Sequence, residues 1–380
     1  MAKKIILAVL LVLNAGMPLY SAQDRQPLIR VSLLQDVPSF FLRVKGSFEV
    51  RDLNSKKLIK KAANLRKQAV KVRNNKINIQ GIASGLLALQ IAPLRGGYVF
   101  INNRIFRGKI NIIIKANGKI LVVNELKVED YCAGVIAQEI APWWPMDALK
   151  AQAIIARSYA LYQKQLPRDN DFDLTSDIYS QVYGGKLSER WRTNRAVSLT
   201  KGKVLTYQGK PFPTYYHATC GGRTEDAACL WDIDLVPLRG VACNFCTHSP
   251  HYKWQAKIPL EDIRLKLITK GFQIQEIAAI EITGYDPSGR ITGLEIKSQD
   301  DGFTISLKDF RQALGPNIIR SANFTMQIDR GIVHFEGLGW GHGVGLCQWG
   351  MHRMAQEAYK YEQILQYYFP QSKLTRIYTD

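Results

Sequence analysis

One alanine-faced, helix-forming run constrains the fold of this chain more than any other feature. The run opens near Met146, after Pro142 and Pro145 have broken the preceding segment. Its apolar residues recur at helical spacing on one face, at Leu149, Ala153, Ala156 and Ala160. Because alanine side chains are small, we expect this helix to pack closely against another element of the core.

A single carboxylate, Glu139, precedes this helix in unusually apolar company. Val135, Ile136 and Ile140 flank it closely, and Trp143 and Trp144 follow. Burial among such side chains penalises the charged form of a carboxyl group and therefore raises its pKa. A carboxyl group with a raised pKa is suited to general acid catalysis near neutral pH. The sequence therefore predicts that Glu139 is a catalytic acid.

Length and composition indicate a globular protein with an anionic partner. The chain has 380 residues, enough for one large or two ordinary domains, with 46% hydrophobic and 22% charged residues. The formal net charge of +19 is compatible with nucleic acid, an anionic membrane or an anionic cell-wall polymer. The sequence contains no nucleic-acid-binding motif, so we expect no nucleic acid partner.

The first 22 residues have the pattern of a signal peptide. Lys3 and Lys4 precede an apolar run from Ile5 to Leu13, and Ser21-Ala22 follows. The run is too short to span a membrane comfortably. We expect export to the periplasm or cell envelope, with membrane contact only through this segment. Cleavage after Ala22 and an uncleaved anchor both remain open.

The remaining pattern predicts an α+β fold. Residues 29–124 read as a β-rich scaffold with turns at Asn102-Asn103 and Asn117-Gly118. Residues 125–257 form the predicted catalytic core, and residues 258–380 a C-terminal α+β part that contains the "GHGVG" motif. The polar stretch 167–185 has the Asp, Ser, Gln and Tyr residues typical of a sugar-binding cleft.

Cysteine spacing in the core predicts a closed metal site. Cys243 and Cys246 form a Cys-x-x-Cys pair, and His217 and Cys220 form a second pair. Three thiolates and one imidazole complete a tetrahedral, structural zinc site. Disulfides are the alternative, because they are normal in exported proteins. If zinc is bound, Cys229 is the residue that would substitute for a ligand.

The order of several motifs resembles the SpoIID/LytB family of cell-wall proteins. The motifs are "VEDYCAGVIAQE", "WWPMDALKAQAIIARSYAL", "SQVYGG", "HATCGGRTEDA", "SGR", "GLGWGHGVGLCQWGMHRMA" and "ILQYYFP", and they extend from about residue 30 to the end. The resemblance implies a lytic transglycosylase that cleaves peptidoglycan between N-acetylmuramic acid and N-acetylglucosamine, preferring strands stripped of stem peptides. It also implies that Glu139 is the catalytic glutamate, and it supports zinc near His217. The family commonly has serine where Cys220 and Cys347 stand; we expect Cys347 to be a small buried thiol.

The same resemblance guides the predicted substrate contacts. The "SQVYGG" segment matches a lining of the family's cleft, and His342 with Gln348 matches its glycine-rich motif. We predict substrate binding by Trp143, Trp144, Arg157, Ser180, Gln181, Tyr183, His342 and Gln348. Asp171, Asp173 and Asp177 are the candidates for a second carboxylate.

Two other functions remain open at this point. A catalytic zinc amidase would need an open metal position, which a thiolate-rich ligand set disfavours. A glycan-binding protein without activity of its own would stimulate a cell-wall amidase instead. A cell-wall amidase is therefore an expected partner besides the glycan strand.

Overall fold

The computed structural model describes residues 26–167, 171–177, 180–299 and 301–379. The predicted signal peptide at residues 1–22 lies outside the described residues. None of the described helices is both long and apolar enough to cross a membrane.

The first part of the chain is built of strands, as the sequence predicts. In chain order they are β1 (Leu28–Val37), β2 (Ser39–Lys45), β3 (Phe48–Asp52), β4 (Leu58–Ala62), β5 (Leu65–Arg73), β6 (Lys76–Ile79), β7 (Ala83–Leu86), β8 (Ala88–Pro93), β9 (Tyr98–Ile101), β10 (Arg104–Phe106), β11 (Lys109–Ile114) and β12 (Ile120–Lys127). With a later strand, β13 (Leu174–Thr175), they form a seven-stranded sheet in the order β13-β1-β12-β11-β8-β3-β4 and a six-stranded sheet in the order β10-β9-β2-β5-β6-β7. Buried side chains from both sheets share one hydrophobic core.

Both predicted turns join neighbouring strands. Asn102 and Asn103 have φ of 46° and 70° and connect β9 to β10. Two successive positive φ values define the tight hairpin turn whose twist matches that of the strands. Gly118, with φ of 73°, lies in the turn between β11 and β12.

Helices follow the sheets and contain several of the motifs named from the sequence. They are α1 (Val128–Glu139), α2 (Met146–Gln165), α3 (Trp191–Leu199), α4 (Ala227–Trp231), α5 (Leu260–Ile268), α6 (Leu307–Leu314), α7 (Gln348–Gln356) and α8 (Tyr361–Tyr368). Helix α2 begins at Met146 as predicted, and all four residues of its predicted apolar face are fully or nearly fully buried. The combination of sheets and helices confirms the α+β class.

The later strands divide between the first core and a second one. They are β14 (Lys203–Tyr207), β15 (Lys210–Pro211), β16 (Tyr216–His217), β17 (Lys253–Pro259), β18 (Ala279–Tyr285), β19 (Ile291–Lys297), β20 (Gly302–Ser306), β21 (Phe324–Asp329), β22 (Ile332–Leu338), β23 (Leu346–Cys347) and β24 (Lys373–Arg376). Buried residues from Trp254 to Phe335 form the second core, whereas residues after Gly339 pack into the first. The second core is therefore an insertion that leaves through β17 and returns through its antiparallel partner β22.

A polar joint fixes this inserted core against the first one. Arg290, in the turn before β19, donates to the main-chain oxygens of Cys220 and Arg223, both at 2.8 Å. Ser288 of the same turn donates to the buried carboxylate of Glu225 at 2.9 Å.

A buried ion pair joins several elements of the first core. Arg157 of α2 is 0% exposed and pairs with Glu129 of α1, Nη2 to Oε2, at 2.6 Å. Arg157 also donates to the main-chain oxygen of Lys203, and the carboxylate of Glu129 also accepts from Tyr378. The prediction that Arg157 contacts substrate is wrong, because its guanidinium lies inside the protein with carboxylate and carbonyl partners.

We expect Arg157→Met to destabilise the protein by about 3 kcal/mol, because it leaves the carboxylate of Glu129 without its charge partner. Urea denaturation measures the effect. Arg353→Met is the control: it breaks the exposed 2.7 Å pair with Glu357 and should cost at most about 0.5 kcal/mol. Equal effects of the two substitutions would contradict a structural role for Arg157.

Candidate active site

Glu139 is the last residue of α1, a helix that the sequence reading did not identify. Tyr131, Cys132, Val135 and Ile136 recur at helical spacing on its buried face. The chain turns extended at Ile140, shortly before Pro142. This break leaves the carboxyl group of Glu139 at the helix end, where it points away from the helix axis into a cleft.

The segment 180–184 forms the neighbouring wall and is fastened to α1. Gly184 donates its amide to the main-chain oxygen of Gly134 at 3.0 Å. A Cβ atom at Gly134 would lie 2.4 Å from the ring of Tyr183, so only glycine permits this close approach. Tyr183 is buried and donates its hydroxyl to Asn124 at 3.0 Å. Tyr183 therefore holds the wall in place and does not line the cleft, contrary to its predicted substrate contact.

Burial governs the protonation of Glu139. It raises the pKa of the carboxyl group, while hydrogen bonds from the Val182 amide and the Tyr216 hydroxyl lower it in part. The Val182 bond, from the amide to Oε1, is 3.0 Å long. Neither hydrogen-bond donor carries a positive charge, so the net pKa stays above its ordinary value.

A chain of hydrogen bonds orients the hydroxyl of Tyr216. Tyr131 donates to Oε1 of Gln181 at 3.0 Å, which leaves Nε2 of Gln181 to donate to the Tyr216 oxygen at 3.2 Å. Because Tyr216 accepts from Gln181, its own proton is available to the carboxylate of Glu139. Gln181 therefore acts at the cleft by positioning Tyr216.

The cleft has a volume of about 440 Å³, and aromatic side chains form much of its lining. Its lining residues are Glu139, Tyr159, Ser180, Gln181, Val182, Tyr215, Tyr216, His217, Ala218, Trp231, Trp340, Gly341 and His342. Three of the predicted substrate residues, Ser180, Gln181 and His342, are thus in the lining. Among the described residues of this lining, Glu139 is the single carboxylate.

The two histidines of the cleft are held neutral by burial. His342 accepts from the amide of Val344 at Nδ1, at 3.1 Å, and therefore donates from Nε2 to the main-chain oxygen of Tyr216, at 3.0 Å. Burial lowers the pKa of His342 to about 4 and that of His217 well below its ordinary value. Neither imidazole carries a charge that would compete with Glu139 near neutral pH.

The remaining predicted substrate residues lie outside the cleft lining. Trp144 is 7% exposed and packs edge-on against Trp349 in the core, while Trp143 is 78% exposed on the surface. These placements contradict the predicted substrate contacts of the two tryptophans. Gln348 is buried behind the site, with its amide 3.4 Å from the main-chain oxygen of Glu139.

None of the three candidate aspartates belongs to the described cleft lining. Asp173 is buried and pairs with Arg30 at 2.7 Å, and Asp171 pairs with Lys115 at 2.8 Å. Asp177 accepts from the hydroxyl of Thr175 at 2.7 Å. Each of these carboxylates is held by a local partner.

A cluster of four buried cysteines lies next to the cleft. The Sγ atoms of Cys220, Cys243, Cys246 and Cys347 are all within 4.8 Å of one another. Parallel pairing of β16 with β23 brings Cys347 to this position. His217 is not in the cluster; its Nδ1 donates to the main-chain oxygen of Val344 at 3.1 Å. The predicted ligand set is thus corrected at one residue: Cys347 replaces His217.

The cluster fits a tetrahedral zinc ion. Zn–S bonds of about 2.3 Å imply Sγ–Sγ separations of about 3.8 Å, and Cys220 and Cys246 are 3.4 Å apart. Neighbouring groups also point hydrogens at the sulfurs. The amides of Cys220 and Gly350 face Cys347 at 3.3 and 3.4 Å, and the Tyr368 hydroxyl faces Cys243 at 3.2 Å. Such donors stabilise metal-bound thiolates.

Sequence reasoning missed Tyr216, Trp231 and Cys347. Tyr216 directly precedes His217, a residue that the sequence analysis had selected. Its position next to a selected residue on a short strand was a signal that Tyr216 could lie beside the cleft. Cys347 is 101 positions after Cys246, and local spacing cannot bridge such a separation. For Trp231, within a short helix, we find no sequence signal.

Comparison with known proteins agrees with this architecture. A family model described as stage II sporulation protein (SpoIID) matches residues 116–207, the part that holds Glu139 and the Ser180–Gly184 wall. A domain of unknown function (DUF8618) matches residues 243–345, which contain the inserted core.

Relatives cover most of the chain. An uncharacterized protein of Brachyspira hyodysenteriae is 33% identical over 90% of this chain and 92% of its own length. Stage II sporulation protein D of Bacillus subtilis is 29% identical over 67% and 76%. The amidase enhancer of Bacillus subtilis is 26% identical over 64% of this chain and 40% of its own length.

The cleft with its one partly buried carboxylate therefore lies in a chain that is similar to known cell-wall proteins. The chain belongs to the SpoIID family. Membership indicates a role related to the cell wall.

We expect Tyr216→Phe to raise the pKa of Glu139 further, because it removes a hydrogen bond that favours the carboxylate. If the protonated acid is the active form, activity falls as pH rises through this pKa, and the variant's alkaline limb should move to higher pH. Tyr215→Phe, also in the cleft lining, is the control and should keep the wild-type limb. An unmoved limb in Tyr216→Phe would show that Tyr216 does not tune Glu139.

Proposed function

We propose that the protein is a lytic transglycosylase that cleaves the glycan strands of peptidoglycan. The observation that carries this proposal is a single, partly buried carboxylic acid whose pKa is raised by desolvation, in an aromatic-lined cleft. Cleavage forms a 1,6-anhydro-N-acetylmuramic acid end. The family relationship supports the substrate class.

One carboxyl group suffices for both proton transfers of this reaction. Glu139 first donates its proton to the glycosidic oxygen as the bond from that oxygen to the muramyl C1 breaks. The resulting carboxylate then takes the proton of the muramyl C6 hydroxyl as O6 bonds to C1. Atoms balance without a water nucleophile, and Glu139 returns to its protonated form.

Lack of a second cleft carboxylate favours this reaction over hydrolysis. Ordinary glycosidases need two carboxyl groups, about 5–9.5 Å apart depending on stereochemistry. Within the described lining, Glu139 has no carboxylate partner, and the neutral imidazoles of His217 and His342 provide no substitute charge.

Trp231 and Trp340 replace Trp143 and Trp144 as the proposed sugar contacts. Both line the cleft, and Trp231 packs 5.0 Å from the ring of His342. Indole faces stack on the apolar faces of sugar rings and exclude water from the acid. A drier cleft keeps the pKa of Glu139 high.

Glu139→Gln tests the catalytic proposal. We expect the variant to fold and to bind glycan strands but to lose cleavage by roughly 10²-fold or more, because glutamine cannot transfer the proton. The measurement is mass analysis of products from purified, peptide-free strands. Gln138→Ala, at an exposed neighbouring position, is the matched control and should cleave normally.

The products also separate the competing functions. Anhydro-muramyl ends from the wild type alone support the proposal, while freed stem peptides from intact sacculi would indicate an amidase. If the wild type binds strands and yields no products, a non-enzymatic enhancer is favoured instead. The amidase enhancer among the relatives supports that second candidate, and with it a cell-wall amidase as partner.

We also propose that the four-cysteine cluster binds a structural zinc ion. Four thiolates close the coordination sphere, so the ion would stabilise the chain around β16 and β23, next to the cleft, and take no part in cleavage. Each of the four cysteines is buried and each is a free thiol in the structure. The disulfide alternative would pair them two by two.

The zinc content per chain of single variants shows whether Cys347 or His217 is the fourth ligand. We expect about one zinc in the wild type, retention in His217→Gln, and loss with a lower melting temperature in Cys347→Ser. Cys132→Ser, which alters a buried cysteine outside the cluster, is the control and should retain the metal. Absence of metal, with four of six thiols unreactive until reduced, would replace the zinc site with two disulfides.

The proposed substrate lies outside the cytoplasmic membrane. We therefore propose that the protein is exported and works in the periplasm or cell envelope, in agreement with the signal-peptide pattern of residues 1–22.

A further inference from the structure

Positive charge is concentrated in one part of the chain. Residues 53–124 contain fifteen lysines and arginines and no aspartate or glutamate, whereas the whole chain has a net charge of +19. Most of the net charge therefore belongs to the strands of the first core.

Much of this charge lies on the outer face of the six-stranded sheet. Along β2, residues alternate between buried and exposed, and Arg43 and Lys45 point outward. Strands β5 and β6 continue the pattern, with Lys71 opposite Asn78 and Arg73 opposite Lys76. We call the following exposed cations the basic face: Arg43, Lys45, Lys67, Lys71, Arg73 and Lys76.

The basic face has no internal counter-charge. Within the described chain, no ion pair is found between any of its six cations and a carboxylate; Lys67 donates a hydrogen bond to the neutral side-chain amide of Asn103, at 3.4 Å. Neighbouring strands are about 4.8 Å apart, so these like charges repel one another at close range. An anionic ligand would relieve this repulsion.

Aromatic rings lie among the cations. The guanidinium of Arg43 is 3.7 Å from the ring centroid of Phe100, and the ammonium of Lys67 is 4.6 Å from that of Phe41. A surface that alternates flat rings with cations suits a sugar polymer that carries carboxylates, because the rings meet sugar faces and the cations meet the acids. A bilayer would instead need apolar side chains that project beyond the cations.

The basic face continues toward the catalytic cleft. At the β9–β10 end of the sheet, Lys186 lies over the ring of Tyr98 at 5.1 Å. Arg104 of β10 donates to the main-chain oxygen of Tyr183 at 2.6 Å. Tyr183 belongs to segment 180–184, which forms the cleft wall, and Lys186 follows that segment directly, so this end of the sheet adjoins the cleft wall.

We propose that the basic face binds the carboxylates of a glycan strand whose reacting sugars occupy the cleft. This inference rests on the proposed function and names the part of the substrate that gives affinity. When stem peptides have been removed, every muramic acid exposes a lactyl carboxylate, so a stripped strand has a negative charge on every second sugar. Preference for stripped strands then arises on the sheet, away from Glu139.

Binding is tested in the Glu139→Gln background, so the result does not depend on cleavage. The ligands are peptide-free strands with free carboxylates and the same strands with their carboxylates converted to amides. The test variant is Lys67→Gln, Lys71→Gln and Lys76→Gln together. The control removes three charges from the inserted core, by Lys257→Gln, Lys270→Gln and Lys308→Gln, all at exposed positions.

We expect the test variant to lose about tenfold in affinity for the acidic strands at low salt and the control less than twofold. The parent should bind the amidated strands about as weakly as the test variant binds the acidic ones. Equal losses in both triple variants, or equal binding of both strands, would overturn the proposal. Tighter binding to anionic vesicles or to duplex DNA than to acidic strands, when that binding is lost in the test variant, would assign the face to a membrane or to nucleic acid.

Discussion

The ion pair between Glu129 and Arg157 holds the helix on which the candidate active site depends. The carboxylate of Glu129 joins α1 to α2, to the turn before β14 and to Tyr378 near the C-terminus. Ten residues later, about 15 Å along the same helix, Glu139 has no cationic partner in the described structure. Helix α1 thus carries two carboxylates with opposite roles. The ion pair of Glu129 with Arg157 fixes the first turn of the helix. At the last turn, desolvation without a nearby positive charge raises the pKa of Glu139.

Local sequence patterns predicted the features that depend on neighbouring residues. The α+β class, the asparagine turns and the start of α2 all follow from periodicity and turn chemistry. The apolar neighbours of Glu139 also indicated its burial. The predictions that failed concerned residues whose surroundings depend on long-range contacts. Trp144 and Arg157 are buried by elements far along the chain. Cys347 meets Cys220 only because β16 and β23 pair. Sequence spacing contains no direct record of such pairing.

The cleft lies where several chain segments meet, and each segment is held in place by its own hydrogen bonds. Segment 180–184 is fastened to α1, the glycine-rich segment crosses over β16, and the turn with Arg290 braces the main chain near Cys220. Gly341 illustrates how tight this crossing is, since a Cβ atom there would lie 2.7 Å from the Cβ of His217. Electrostatic preorganisation of a single acid requires such rigid surroundings.

The insertion between Cys246 and Cys347 bears on how this region assembles and how it can vary. Closing a free loop of about 100 residues costs several kcal/mol in chain entropy. Here β17 and β22 pair along their whole length and bring the two ends of the insertion together. Once that hairpin-like stem has formed, the cysteines are separated by only two short connections. The cluster's geometry consequently depends on the stem and on the turn with Arg290, and evolution is free to lengthen or shorten the other parts of the inserted core without moving the cysteines.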